Sequence, residues 1–183
     1  MLKAKKGRLL ISEPSLNDNV FFKSVVLLTH HNDEESIGLI LNHPTKINLN
    51  EILNDIPLID LPIYIGGPVE KQSLHFIHTL GSIIPNSKQI IDGIYFGGDF
   101  DTVIQLMHDK KITKNEIRFF VGYSGWEAEQ LNNEIRDDAW IVQTAKNELC
   151  MNYSTPKLWS DIIKTKKMEH AIWANMPKDP SLN

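Results

Sequence analysis

Residues 116–135 read EIRFFVGYSGWEAEQLNNEI, and what happens at Gly122 decides what kind of chain this is. The first part, EIRFFVGY at 116–123, is apolar and β-branched enough to be a strand, with residues 117–122 at its centre. The second part has Ala128, Leu131 and Ile135 at helical spacing, so a helix is expected over 126–135. Between them Ser124 stands among glycines. One reading is a nucleophile elbow, G-x-S-x-G, with the serine exposed on a sharp strand-to-helix turn. Gly122 fits its first position, but Trp126 fills the fifth, where close strand–helix packing calls for a small residue. The other reading is a turn in which Gly122 and Gly125 supply positive φ and Ser124 helps cap the helix. The turn is the better match. Glu127, Gln130 and Glu134 then share a polar helix face that could line a cleft or face water, and it is read as facing water.

Working outward, the same pattern of strand and glycine turn recurs. LPIYIGGPV runs into Gly66-Gly67-Pro68, and GIYFGGDFD runs into Gly97-Gly98 with Asp99 as the N-cap of a helix. That helix buries Val103, Ile104, Leu106 and Met107. GRLLIS is a short strand. SVVLLTHH (24–31) and SIGLILN (36–42, with 37–42 central) read as a hairpin in the middle of the sheet. His43-Pro44 is expected to end the second of these. Asn48 and Glu51 have capping-box spacing ahead of LNEILND, which sets Leu49, Ile52 and Leu53 on one face. SLHFIHTL alternates as a strand. Thr155-Pro156 is expected to start the last helix, and the tail NMPKDPSLN to be extended. Strands that neighbour one another in sequence mix with isolated helices, without steady alternation. This predicts one α+β domain over 1–183 with a mixed, largely antiparallel sheet.

The bulk properties narrow the function. The 183 residues suit a single core, and the net charge is -4 with a pI near 6.0. A phosphate-binding face would have to rest on KAKK (3–6) or KTKK (164–167), both short and read as solvated surface. Cys150 is the single cysteine, which excludes an internal disulfide, fits a reducing cytoplasm, and reads as a buried small hydrophobe. The run Leu9-Leu10-Ile11 is too short for a signal peptide, and nothing approaches the roughly 20 apolar residues of a membrane span.

Metal and phosphate chemistry find little support. His30 and His31 point to opposite faces of a strand, as do His75 and His78. Neither double glycine extends to a nucleotide-binding motif. Asp99 and Asp101 already have a reason at a helix start. No metal or cofactor is expected. The four tryptophans, 126, 140, 159 and 173, read as packing residues.

Several segments in order resemble the AlgH-like (YqgE) family: GRLLISEPSLNDNVFFKSVVLLTHH, GLILNHP, YIGGPV, GIYFGGD, RFFVGYSGW, QLNNEI, Trp140 and the final MPKDPSLN. Each motif is modest, but the ordered set is specific. The resemblance implies a bacterial α+β protein with a barrel-like sheet flanked by helices. One branch of the family is labelled a transcription regulator, yet no helix-turn-helix logic is present here. The family often has alanine where Ser124 stands, which lowers a reading as a serine hydrolase working with a histidine such as His43. The chain departs from the family at Glu127-Ala128-Glu129, where small residues and proline are usual. The resemblance groups Asn42 and His43 with Gly66, Gly67 and Pro68, and with Gly122, Tyr123, Gly125, Trp126 and Gln130. If these strand ends share a rim, they form a cleft for a small ligand or protein partner. The plainer alternative is that the glycines serve turns and Asn42 satisfies backbone groups. The expectation is a binding or regulatory protein of the cytoplasm, without catalysis, direct DNA binding or a membrane anchor.

Overall fold

The computed structural model describes residues 2–13, 20–54, 56–151 and 157–165. The expected start of the last helix at Thr155-Pro156, the tail from Asn175 onward, and Trp173 lie outside them.

The most apolar segments form the first strands. They are β1 (Arg8–Ser12), β2 (Val25–His31) and β3 (Glu35–Ile40), each antiparallel to the next. β4 (Pro44–Asn48), α1 (Leu49–Ile52), β5 (Pro62–Ile65) and β6 (Val69–His78) follow. Then come β7 (Lys88–Ile91), β8 (Ile94–Phe96), α2 (Phe100–His108) and β9 (Ile117–Glu127). The chain continues through α3 (Gln130–Arg136), β10 (Trp140–Thr144), α4 (Asn147–Met151) and α5 (Leu158–Lys164).

The sheet runs β10-β1-β2-β3-β9-β6-β8-β7, with β5 also on β9 and β4 on β5. The β5–β9 pair is parallel and the other pairs are antiparallel, so the sheet is mixed and largely antiparallel. It curls into a half-barrel. Lys6 Nζ donates to the Gln89 carbonyl of the last strand at 3.1 Å. A Cβ on Gly7, ahead of β1, would meet the Ile90 carbonyl at 3.0 Å.

β9 is the spine. Its lower half pairs with β5 on one side (Ile63↔Phe119, Ile65↔Val121) and with β6 on the other (Leu74↔Val121, Phe76↔Phe119). Its upper half leaves β5 and pairs with β3 (Gly38↔Ser124, Ser36↔Trp126). Alternating side chains therefore serve different cores. Phe120 joins an inner core with Leu27, Leu39, Ile77 and Trp159. Phe119 faces Val103, Leu106 and Met107 of α2. Trp126 packs with Leu10, Ile40, Leu131 and Trp140 beneath α3.

Three expectations need correction. The helix predicted over 126–135 begins at Gln130, because residues 124–127 find a second ladder on β3 and remain strand. Gly125 is not among the positive-φ residues; Gly122 is, with φ of 66°. The second hairpin strand does stop ahead of His43-Pro44, at Ile40, and Pro44 opens β4, an edge strand on β5, where a missing N–H costs no ladder bond. Ile52 is not in the core beside Leu49; it is 44% exposed. Asp99 does cap α2, accepting from Thr102 N at 2.9 Å, and the Asn48 backbone N–H donates to Glu51 Oε1 at 2.8 Å.

One buried charge links the layers. Arg118 is fully buried in the inner core. Its Nη1 and Nη2 donate to the carbonyls of Cys150 and Leu41, each at 2.6 Å. The guanidinium lies 4.2 Å over the Tyr64 ring. Carbonyl acceptors and an aromatic face offset its desolvation, and α4 is tied to the barrel.

Candidate functional site

The chemistry gathers where β9 changes partner from β5 to β3. Gly66 occupies that junction. Its N–H donates to the Val121 carbonyl at 2.9 Å, and its carbonyl accepts from Ile40 N at 2.9 Å and from Ser124 Oγ at 3.0 Å. Three strands are thus joined through one residue. The glycines here are steric necessities. A Cβ on Gly66 would fall 2.2 Å from the Gly122 carbonyl oxygen, and one on Gly67 would fall 2.2 Å from the Tyr123 carbonyl. A Cβ on Gly122 would meet the Gly67 and Val69 carbonyls at 2.7 Å. The two glycine segments lie backbone against backbone.

Beyond the junction the strands diverge and leave a cavity of about 310 Å³, lined by Val20, His43, Ile65, Gly67, Pro68, Lys71 and Val121. Each wall has a local cause. His43 follows β3, and its carbonyl accepts from Ile65 N at 2.8 Å, which holds it beside β5. Its imidazole Nε2 lies 3.2 Å from Ser24 Oγ. Lys71 arrives through a bulge. β6 pairs Val69 with Tyr123 and then Leu74 with Val121, so Glu70–Ser73 bows out of the ladder. Gly122 permits this, since the Lys71 Cα stands 3.4 Å from where a side chain would begin.

Of the ten cleft residues proposed from sequence, His43, Gly67 and Pro68 line this cavity. Gly66 and Gly122 belong to the adjoining junction and not to the lining. Asn42 is buried and spent on the backbone: Oδ1 accepts from Val25 N and Nδ2 donates to the Lys23 carbonyl, both at 2.8 Å. Tyr123 packs edge-on to the His75 ring, with centroids 5.7 Å apart. Gly125 is exposed. Trp126 and Gln130 belong to a separate polar clamp. Glu134 Oε2 accepts the indole N–H of Trp126 at 2.8 Å and of Trp140 at 2.7 Å, and Gln130 donates to Oε1 at 2.9 Å. Glu127 and Gln130 are exposed, as read, while Glu134 is half-buried and engaged because β10 brings Trp140 to it. Lys71 was missed in the sequence. A run of polar residues inside an otherwise apolar strand, VEKQSLHFIH, was the available signal for a bulge.

The nucleophile question resolves geometrically. Ser124 is fully buried in mid-strand and donates to the Gly66 carbonyl. The serine beside His43 is Ser24, also fully buried. Burial pushes the Cys150 thiol up to about 12, against the opposing influence of Arg118, so no thiolate forms near neutral pH.

Two further histidines, His75 and His78, are held by the fold. His78 Nδ1 accepts from Leu80 N at 3.1 Å, which leaves the proton on Nε2 to donate to the Gly97 carbonyl at 2.8 Å. Burial lowers its pKa, and the Gly97 bond opposes this. Burial likewise lowers His75, with Glu70 opposing. Among the described residues no three His, Cys, Asp or Glu side chains gather as a metal set, and no helix is long and apolar enough to cross a membrane.

Residues 9–171 match the AlgH-like family. A Bacteroides fragilis relative named as a UPF0301 protein is 40% identical over 179 residues, covering 97% of this chain and 91% of its own. A Corynebacterium diphtheriae crystal structure aligns with a TM-score of 0.77 at 20% identity, over 96% of this chain and 94% of that one. The solution structure of the AlgH protein from Pseudomonas aeruginosa aligns with a TM-score of 0.70 at 23% identity, over 97% and 94%. At these identities the two structures share the fold.

Proposed function

The chain belongs to the AlgH-like family, and on that premise we propose that it is a non-catalytic binding protein of the cytoplasm whose working site is the cavity beside His43, Pro68 and Lys71. The observation that carries this reading is that five separate segments, at Val20, at His43, at Ile65 to Pro68, at Lys71 and at Val121, converge on one cavity of about 310 Å³. That size falls at the lower end of ligand pockets, and a few polar groups set in apolar walls are their usual lining. Catalysis finds no support, because both serines discussed above are buried and hydrogen-bonded. Direct DNA binding is disfavoured by the net charge of -4. A regulatory role would then act through a ligand or protein partner. The cytoplasmic assignment rests on the single, buried cysteine.

Two measurements test the reading together. Small organic fragments titrated into ¹⁵N-labelled protein should produce amide shifts concentrated at Ile65, Gly67, Lys71 and Val121. A fluorophosphonate serine probe should leave the protein unlabelled. Shifts confined to other surfaces, or stoichiometric serine labelling, would refute it.

A further inference from the structure

We infer that this cavity takes a small apolar monocarboxylate, with its carboxylate against Lys71 and His43 and its hydrocarbon part against Val20, Ile65, Pro68 and Val121. The inference rests on the binding reading above and specifies its ligand. Three observations carry it.

First, Lys71 has no ion-pair partner among the described residues. The carboxylate next to it in sequence, Glu70, is turned to Ser73, whose hydroxyl donates to Glu70 Oε2 at 3.0 Å and to the Glu70 carbonyl at 2.8 Å. The bulge therefore places Lys71 in the lining of the cavity and leaves Glu70 out of it. Second, the other polar side chain of the lining, His43, has its ring held by the Ser24 contact at 3.2 Å. Among the described residues an ammonium and an imidazole are the polar side chains of this lining, and none of them is acidic. In a chain of net charge -4 this is a local reversal of sign, which selects for an anion rather than for charge in general. Third, the remaining side-chain walls are aliphatic, and about 310 Å³ holds on the order of ten water-sized groups. A carboxylate with a short hydrocarbon chain fills that space, and a hydrogen bond to a charged group is the stronger kind.

The test compares hexanoate, hexan-1-ol and hexylamine, titrated into the full chain and followed by amide shifts, at near-neutral pH and moderate salt. Hexanoate should shift the amides of Gly67, Lys71 and Val121 and bind at least about tenfold more tightly than hexan-1-ol, the size of one charge-assisted hydrogen bond. Hexylamine should bind more weakly than either. Lys71→Met, at an exposed bulge position that the fold does not use, should keep the spectrum dispersed and abolish the preference for hexanoate over hexan-1-ol. Equal binding of hexanoate and hexan-1-ol, or tighter binding of hexylamine, overturns the carboxylate inference and leaves the pocket reading standing. Shifts remote from the cavity, or no shifts with any of the three up to their solubility, overturn both.

Discussion

At Trp126 every polar group is answered from inside the protein. Its indole and that of Trp140 share one oxygen of Glu134, Gln130 takes the other, and Phe21 covers both rings with centroids 5.9 and 5.3 Å away. A few residues earlier, at Gly122, the backbone is as tightly packed, yet the neighbouring side chains leave a cavity and an ammonium without an ion-pair partner. Both regions lie on β9. The difference is in what the partner strands bring. β3 supplies the ladder, β10 a second indole and α3 a carboxylate, which close the upper end. β5 and the bulged β6 deliver aliphatic walls and Lys71, which leave the junction incomplete. A polar group left unanswered by its own fold is a better pointer to ligand binding than a cluster of eye-catching residues.

The strongest challenge to this contrast is Trp126→Ala. Its indole is 4% exposed in a close-packed cluster, so truncation should cost about 3–5 kcal/mol in a denaturant melt while leaving ligand shifts at Val121 in the surviving folded fraction. A small loss would mean that the clamp is ornamental.

Gly122→Ala should come next. The left-handed φ of 66° costs roughly 1–3 kcal/mol for a residue with a Cβ. The close approach to two carbonyls puts the substitution at the upper end of that range. The control is Gly125→Ala, where the nearest atoms stand at 3.5 Å and φ is ordinary; its melting temperature should stay near wild type. Equal damage at the two glycines would remove the special status of the junction.

Ser124→Ala should cost about 0.5–1.5 kcal/mol, one neutral hydrogen bond, because Ile40 N still satisfies the Gly66 carbonyl. Fragment binding should persist. Loss of binding with full stability would assign the serine a direct role.

The smallest effect is on acidification. Burial lowers the folded-state pKa of His75 and His78, so the unfolded chain binds protons more readily. Their contribution to stability is complete above the unfolded value of about 6.5 and declines as pH falls below it toward the lowered folded values. His75 packs on Tyr123 and Phe96, whereas no histidine takes part in the tryptophan clamp. Between pH 7.5 and 5.5, hydrogen exchange in β6 and β8 should quicken before tryptophan fluorescence changes. Simultaneous change would show that the two regions are one cooperative unit.

The centres of the long strands were legible because burial on both faces demands continuous apolar runs, and VVLLTHH, SIGLIL and IRFFV have them. The N-cap of α2 was legible because capping is local chemistry. The upper half of β9 was not. Glycine and serine are poor strand formers, and only the ladder offered by Ser36 and Gly38 keeps Ser124 to Trp126 extended. A weak local preference yields to a tertiary partner, and the expected elbow and helix start disappeared with it. The signal that remained was the alternation of buried Gly122, Ser124 and Trp126 with less buried Tyr123, Gly125 and Glu127.

Taken alone, the amino-acid order determined an α+β class, a mixed and largely antiparallel sheet, and the pairing of His43 with the Gly66-Gly67-Pro68 turn through family pattern. These depend on hydrophobic period, turn chemistry and motif order, all carried by neighbours along the chain. The tertiary structure decided which residues became surface chemistry and which became mortar. Asn42, Trp126 and Gln130 were consumed by internal hydrogen bonds, and Lys71 was carried to the cavity by a bulge. Those outcomes depend on strand partners far away in sequence, and a side chain's availability is known only once every competing partner has been placed.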